Sequence, residues 1–304
     1  MSSASYSQNP SGKVAGNLAP VDEMRLTVLV EDKVNPEKPG LIAKHGLSFF
    51  IELKSSGQTW NLLLDTGPAA DPLLQNARKL RLDLRKASHV VLSHGHYDHT
   101  GGLLGFLNFV ETKVPIILHP DALKPKFLVK KRGLKKIGLP FREMELEEAG
   151  GVLALRRDPF SPLPGVLVSG EIRREVPFEV VKGFRTMEGG TLVKDEMLDD
   201  QALFVSLRDK GLVVITGCAH AGVVNTIRQA RRLTGAARIH AVVGGFHLFN
   251  ASTRRIMATV KEFQKIGVEH LMPCHCSGRR AVARFVKVFG ERCQRLRTGD
   301  SVIF

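Results

Sequence analysis

Residues 87–102 read ASHVVLSHGHYDHTGG, and this stretch decides the fold. Ala87–Leu92 is a short apolar run, the pattern of a buried strand. It runs into His94, His96, Asp98 and His99, which place four metal-binding side chains within six residues. Imidazole and carboxylate suit zinc, iron or manganese. In a turn after the strand, alternate residues point in different directions. His94 and His96 are therefore expected to serve one ion, and Asp98 and His99 a second. A lone histidine is usually structural, but three histidines and an aspartate at this spacing predict a metal site.

Working outward, Met24–Val30, Leu47–Leu53 and Thr59–Leu64 are β-like runs, the last two joined across Ser55-Ser56-Gly57. Asp71-Pro72 opens a helix with Leu73, Ala77, Leu80 and Leu84 on one face. Gly101-Gly102 begins another helical run. From 202 onward strands and helices alternate. Ala202–Leu207, Leu212–Thr216, Ile239–Val243 and Val268–Met272 read as strands. Helices carry Val223, Val224, Ile227, Ala230 and Leu233, then Ile256, Val260, Phe263 and Ile266, then Val282, Phe285, Val286 and Phe289. Gly235, Gly267 and Gly290 stop them in turn. This alternation predicts a layered α/β architecture. Residues 120–200 are irregular and read as an insertion within a single domain spanning 21–304. Residues 1–20 are rich in Ser, Gly, Asn and Pro, and read as a disordered lead-in.

Three strand ends in succession carry histidine: Thr216-Gly217-Cys218-Ala219-His220, Gly244-Gly245-Phe246-His247 and Pro273-Cys274-His275-Cys276. Their recurrence suggests convergence on one site, with His220 as the candidate to complete the first metal. Cys274 and Cys276 flank His275 and are expected to point away from it on an extended strand end.

The His94–His99 motif is the signature of the metallo-β-lactamase superfamily, and the chain resembles that superfamily elsewhere. The resemblance implies an αββα four-layer sandwich holding two divalent ions, zinc first, with manganese, iron and magnesium as alternatives. Leu62-Leu63-Leu64-Asp65-Thr66-Gly67 resembles the superfamily's early strand and turn, whose aspartate supports the metal loop without ligating. His275 matches its late histidine on the second metal. The chain departs from the common pattern where a Gly-Asp usually supplies a bridging carboxylate: here Gly217-Cys218 stands in that place. Cys218 as a thiolate bridge, His220 as a replacement ligand, and one tight plus one weak metal all remain open. The motifs around Cys218, His247 and His275, with Ser169-Gly170-Glu171-Ile172 and Pro177-Phe178-Glu179, resemble a narrower subgroup named for an archaeal dihydropterin synthase. That resemblance implies joining a pterin-methyl diphosphate to a ribofuranosyl-aminobenzene phosphate.

Composition bounds the partners. The 304 residues carry a net charge of +14, which points to anionic ligands. Seven Lys or Arg lie between Lys124 and Lys136 with no acid among them. No stretch is apolar enough for a membrane span and residues 1–20 hold no secretory signal. Four cysteines in this length do not form a disulfide framework, so a reduced cytoplasmic protein is expected. The expected function is a metal-dependent hydrolase or transferase acting on a phosphorylated or diphosphorylated small molecule. Asp98 would ligate and orient the reactive water, and His247 would line the pocket beside it. A nuclease of the same fold and a non-catalytic ligand-binding protein are the alternatives.

Overall fold

The computed structural model describes residues 18–180 and 182–304. The expected lead-in over residues 1–20 lies outside these except for Leu18–Pro20, where Leu18 already packs on the core.

β1 (Glu23–Val30), β2 (Ser48–Ser55) and β3 (Gln58–Leu64) form an antiparallel meander, and α1 (Ala70–Lys79) returns the chain to β4 (Ala87–Val91), parallel to β3. α2 (Tyr97–Thr100) is one turn carrying Asp98 and His99, followed by α3 (Leu103–Val110) and β5 (Val114–Leu118). Next come β6 (Lys126–Lys130), β7 (Gly133–Lys136), α4 (Glu143–Glu148), β8 (Gly151–Leu155), β9 (Val166–Val168), β10 (Phe184–Glu188) and β11 (Thr191–Lys194). The last third contains β12 (Ala202–Leu207), β13 (Gly211–Thr216), α5 (Val223–Thr234), β14 (Ile239–Gly245), α6 (Thr253–Ile266), β15 (His270–Cys274), α7 (Arg279–Phe289) and β16 (Ser301–Ile303).

Two large sheets face each other. One has the order β16-β1-β2-β3-β4-β5-β8, the other β15-β14-β13-β12-β9. Strand alternation decides which side chain fills which layer. Leu62 and Leu64 of β3 point between the sheets, where they meet Leu203, Val205, Val213 and Ile215. Leu63 points the other way, to the layer formed by Leu73 of α1 and Phe106 and Leu107 of α3. On the far side, Val214 and Val242 pack under Ile227, Val260, Phe263 and Phe285 of α5, α6 and α7. The result is the expected four-layer αββα sandwich.

The stretch 120–200 differs from its reading as an insertion. Only β6, β7, β10 and β11 stand apart, as a small antiparallel sheet. β8 pairs in parallel with β5, and β9 pairs with β12, so both large sheets take an edge strand from this stretch. Both strands are short, and β8 is partly exposed, so neither carries a clear apolar period. Among the described residues, no helix is long and apolar enough to cross a membrane.

β3, β4 and β5 run parallel, as do β13, β14 and β15. Their carboxyl ends gather the loops that carry the candidate ligands, where α/β sheets place their sites.

Candidate metal centre

Asp65 organises the first loop. Its Oδ1 accepts Ser93 N at 2.7 Å, and its Oδ2 accepts Ser93 Oγ at 2.6 Å and pairs with His99 Nδ1 at 2.6 Å. That fixes the His99 tautomer and leaves Nε2 free to ligate. Ser93 Oγ also lies 2.9 Å from His94 Nδ1, so Asp65 orients His94 through the serine. The loop is packed too tightly for side chains at its glycines. A Cβ at Gly95 would stand 2.2 Å from Ala122 O, and one at Gly217 would stand 2.0 Å from Ser93 Oγ.

The remaining ligand candidates arrive on the loops after β13, β14 and β15. Each loop holds a non-glycine residue in the left-handed region: Ala219 (φ 53°), His247 (φ 46°) and His275 (φ 45°). Asp65 does the same at φ 59°. Such strain persists where surrounding structure over-determines it, and it concentrates at functional sites.

The predicted ligands divide into two pockets. In the first, His94 Nε2 lies 3.0 Å from His96 Nδ1 and 3.3 Å from His220 Nε2. In the second, Asp98 Oδ2 lies 3.5 Å from His275 Nε2 and 3.9 Å from His99 Nε2. Asp32, which the sequence reading missed, holds His275 Nδ1 at 2.9 Å. Cys218 Sγ stands between the pockets. It lies 3.2 Å from His99 Nε2 and forms compact donor groups with His94 and His220 on one side, and with His99 and His275 on the other.

These donors suit a metal. A neutral imidazole nitrogen offers either one N–H or one lone pair, so His94 Nε2 cannot fully satisfy both His96 Nδ1 at 3.0 Å and His220 Nε2 at 3.3 Å. His275 Nε2 is buried without a hydrogen bond. Burial and the neighbouring imidazoles drive His94 and His220 well below the usual histidine range, and burial brings His96 down to about 3. The first pocket is therefore neutral and ready to donate. Burial acts the same way on His275, but Asp32 and Asp98 outweigh it and raise that group.

A second tier of carboxylates, also missed, braces the loops. Asp199 Oδ2 accepts Gly95 N at 2.8 Å, while its Oδ1 and Asp195 Oδ2 each take Lys126 Nζ at 2.8 Å. Asp200 Oδ2 accepts Ala221 N at 2.8 Å beside His220. Lys126 is 1% exposed, so the basic run is not one solvated face. Nothing in the run sets Lys126 apart, since burial falls off along β6 and Lys130, on the same face of the strand, is exposed. Asp32 and Asp199 gave no sign either.

His45 is a further missed neighbour. Its Nδ1 is 3.3 Å from Asp32 Oδ2, and its Nε2 is 3.5 Å from Asp98 Oδ2. Cys276 corrects an expectation. The chain after β15 is a 3₁₀ turn, His275–Ser277, rather than an extended strand. Cys276 Sγ thus turns inward, accepting His247 N at 3.3 Å and lying 3.5 Å from Cys218 O. His247 stacks on His220 with ring centroids 4.3 Å apart. All four cysteines are buried and free.

Fold and site together define a metal-dependent enzyme class: a four-layer αββα sandwich with a dense His/Asp/Cys cluster at one edge of its sheets. The family model for the metallo-β-lactamase superfamily matches residues 43–220, and the chain belongs to that superfamily. Within it, the chain is 33% identical over 294 residues to the 7,8-dihydropterin-6-methyl-4-(β-D-ribofuranosyl)-aminobenzene-5'-phosphate synthase of Methanocaldococcus jannaschii, covering 95% of this chain and 99% of the relative. An uncharacterized protein of the same organism is 32% identical over 80% of this chain and 87% of its own length. The crystal structure of a metal-dependent hydrolase of the β-lactamase superfamily superposes with a TM-score of 0.76 at 33% identity, covering 92% of this chain and 98% of that one.

Proposed function

We propose that this chain is a metal-dependent enzyme acting on a phosphorylated or diphosphorylated small molecule that carries an aromatic ring. One observation carries the reading. A cleft of about 1040 Å³ opens beside the metal cluster, lined among the described residues by Lys130, Lys182, Arg254 and Arg255, by Phe178, Phe184 and Phe249, and by no Asp or Glu. His247 lies on the wall of this cleft, while Phe184 stands 5.1 Å from the rings of both His96 and His220. The inner end of the cleft is thus the outer wall of the first pocket.

The chemistry follows from that layout. Four cations, of which only Arg255 has a neighbouring acid, the buried Glu179, would neutralise phosphate groups. Phenylalanine rings offer flat apolar faces to a planar ring. Divalent ions held by His94, His96 and His220, and by Asp98, His99 and His275, would polarise phosphate oxygens as Lewis acids. His247, with Nδ1 buried and unpaired, stands between cations and cluster to orient the phosphate end. The similarity to a synthase over nearly the whole chain supports the transferase version, and the equally similar metal-dependent hydrolase structure supports the hydrolase version. In the transferase version an arylamine nitrogen attacks the pterin methylene carbon, the carbon–oxygen bond to diphosphate breaks, and the nitrogen loses a proton.

The test is to incubate metal-loaded protein with the pterin-methyl diphosphate, with and without the ribofuranosyl-aminobenzene phosphate. Diphosphate release that requires the arylamine supports the transferase. Release without it points to a hydrolase. No metal-dependent release under either condition overturns the proposal.

A further inference from the structure

The position usually given to a bridging carboxylate in this superfamily is occupied here by a thiol, and the geometry gives that thiol work to do. Cys218 Sγ is the one donor among the described residues common to both compact groups, with His94 and His220 and with His99 and His275. It is 4% exposed, and its only close side-chain neighbour with a short contact in the second pocket is His99 Nε2 at 3.2 Å. Ligands of one tetrahedral ion with bonds of about 2.1–2.3 Å stand roughly 3.4–3.7 Å apart, so this spacing is close to that of two donors to one ion. A sulfur about 2.3 Å from each of two ions spans about 3.5–4 Å between them at an ordinary bridging angle, the separation of two-metal sites.

The backbone supports the placement. Gly217 allows β13 to run against Ser93, and Ala219 in the left-handed region (φ 53°) turns the chain so that Cys218 and His220 are both buried at the cluster. Cys276 is the competing thiol. Its Sγ takes His247 N at 3.3 Å and faces Cys218 O at 3.5 Å; it forms a further compact donor group with Cys218 and His247, but belongs to neither two-histidine group of the paired pockets.

We infer that the Cys218 thiolate bridges the two metal ions, in place of the carboxylate that the common superfamily pattern supplies. This rests on reading the cluster as a dinuclear centre. On loading, the S–H bond breaks, the proton passes to solvent, and sulfur bonds to both ions with no change of oxidation state. A bridging thiolate is softer than a carboxylate, which biases the centre toward zinc-like ions and away from magnesium.

The experiment loads the full chain with cobalt(II) alone. It reads metal per chain by elemental analysis and the near-ultraviolet thiolate-to-cobalt charge-transfer absorption. Expected is about two cobalt per chain with the absorption present. Cys218→Ser abolishes the absorption and weakens uptake at least tenfold, since even outer-shell partners of metal ligands cost about 10–100-fold. Cys218→Asp loses the absorption but recovers two cobalt, which separates loss of a bridge from loss of folding. Cys276→Ser keeps both readouts. An absorption that survives Cys218→Ser, or that disappears in Cys276→Ser, overturns the inference while leaving the metal centre intact. Failure of the wild type to take up any cobalt overturns the reading of the centre itself.

Discussion

In the Asp98–His99–His275 pocket, carboxylates grip the imidazoles themselves: Asp65 holds His99 Nδ1 and Asp32 holds His275 Nδ1. In the His94–His96–His220 pocket, carboxylates grip main chain instead. Asp199 takes Gly95 N, Asp200 takes Ala221 N, and Glu179 takes Val224 N and Asn225 N at the start of α5. There, His96 Nε2 and His220 Nδ1 are buried without a hydrogen-bond partner. The difference teaches two ways of presenting a ligand. Gripping the ring fixes tautomer and adds basicity, whereas gripping the loop fixes only where the ring stands. The second pocket also has a carboxylate among its candidate ligands, Asp98, held as an anion well below the usual carboxylate range. Burial opposes that charge, and His99 and His275 overcome it. The second pocket should therefore bind its ion first.

Removing that ligand gives the largest effect. Asp98→Ala is expected to reduce metal content from about two ions to about one, with a loss of affinity in the second pocket beyond ~100-fold. Elemental analysis after dialysis reads this directly. If the ion that remains proves to be in the Asp98 pocket, because His94→Ala then empties the protein no further, the order of the two pockets is reversed.

The next effect tests whether the carboxylates that grip main chain are charged. Burial raises Glu179 to about 7, against the pull of two amide hydrogen bonds at 2.9 and 2.8 Å. The unfolded group titrates near 4.5. Between these values the folded protein holds a proton that the unfolded chain has released, so stability from this group is present below pH 4.5 and lost as pH rises toward 7. Glu179→Gln removes the titration. Relative to that variant, metal-free wild type should lose up to about 3 kcal/mol across the window, read by denaturant unfolding at several pH values. A difference that stays flat with pH would mean the two amides keep Glu179 ionised throughout.

The contrast between pockets also explains what the sequence made legible. His94 to His99 lie in one short stretch because they share one loop, so their spacing alone predicted a metal site. The sandwich was legible from 202 onward because the strands and helices from β12 to α7 bury apolar faces; the short, exposed β16 gave no such pattern. The bracing was not. Asp32 meets His275 across 243 residues, and nothing local marks either as the other's partner. Lys126 is indistinguishable in composition from the exposed Lys130 and Lys131, yet it is buried between Asp195 and Asp199. Cys276 was misjudged because a strand was extended through a residue that folds into a 3₁₀ turn. β8 and β9 were missed because edge strands need no strict alternation.

The smallest effect is also the sharpest probe, because one residue reaches both pockets. Ser93 Oγ donates to Asp65 Oδ2 at 2.6 Å and so accepts from His94 Nδ1 at 2.9 Å. Asp65 therefore orients His99 directly and His94 through one hydroxyl. Asp65→Asn should weaken metal binding by about 10–100-fold, as loss of an outer-shell carboxylate does, and both pockets should feel it. Ser93→Ala cuts only the relay. Of the two hydrogen bonds lost, the one that orients His94, about 1 kcal/mol, corresponds to roughly a fivefold loss, and it should fall on the first pocket alone. Competition of each variant against a chelator, with the two ions resolved as two phases, measures this. A Ser93→Ala loss confined to the tighter phase would show that the serine serves His99 through Asp65, and the contrast between ring-gripping and loop-gripping pockets would collapse into a single Asp65-centred support.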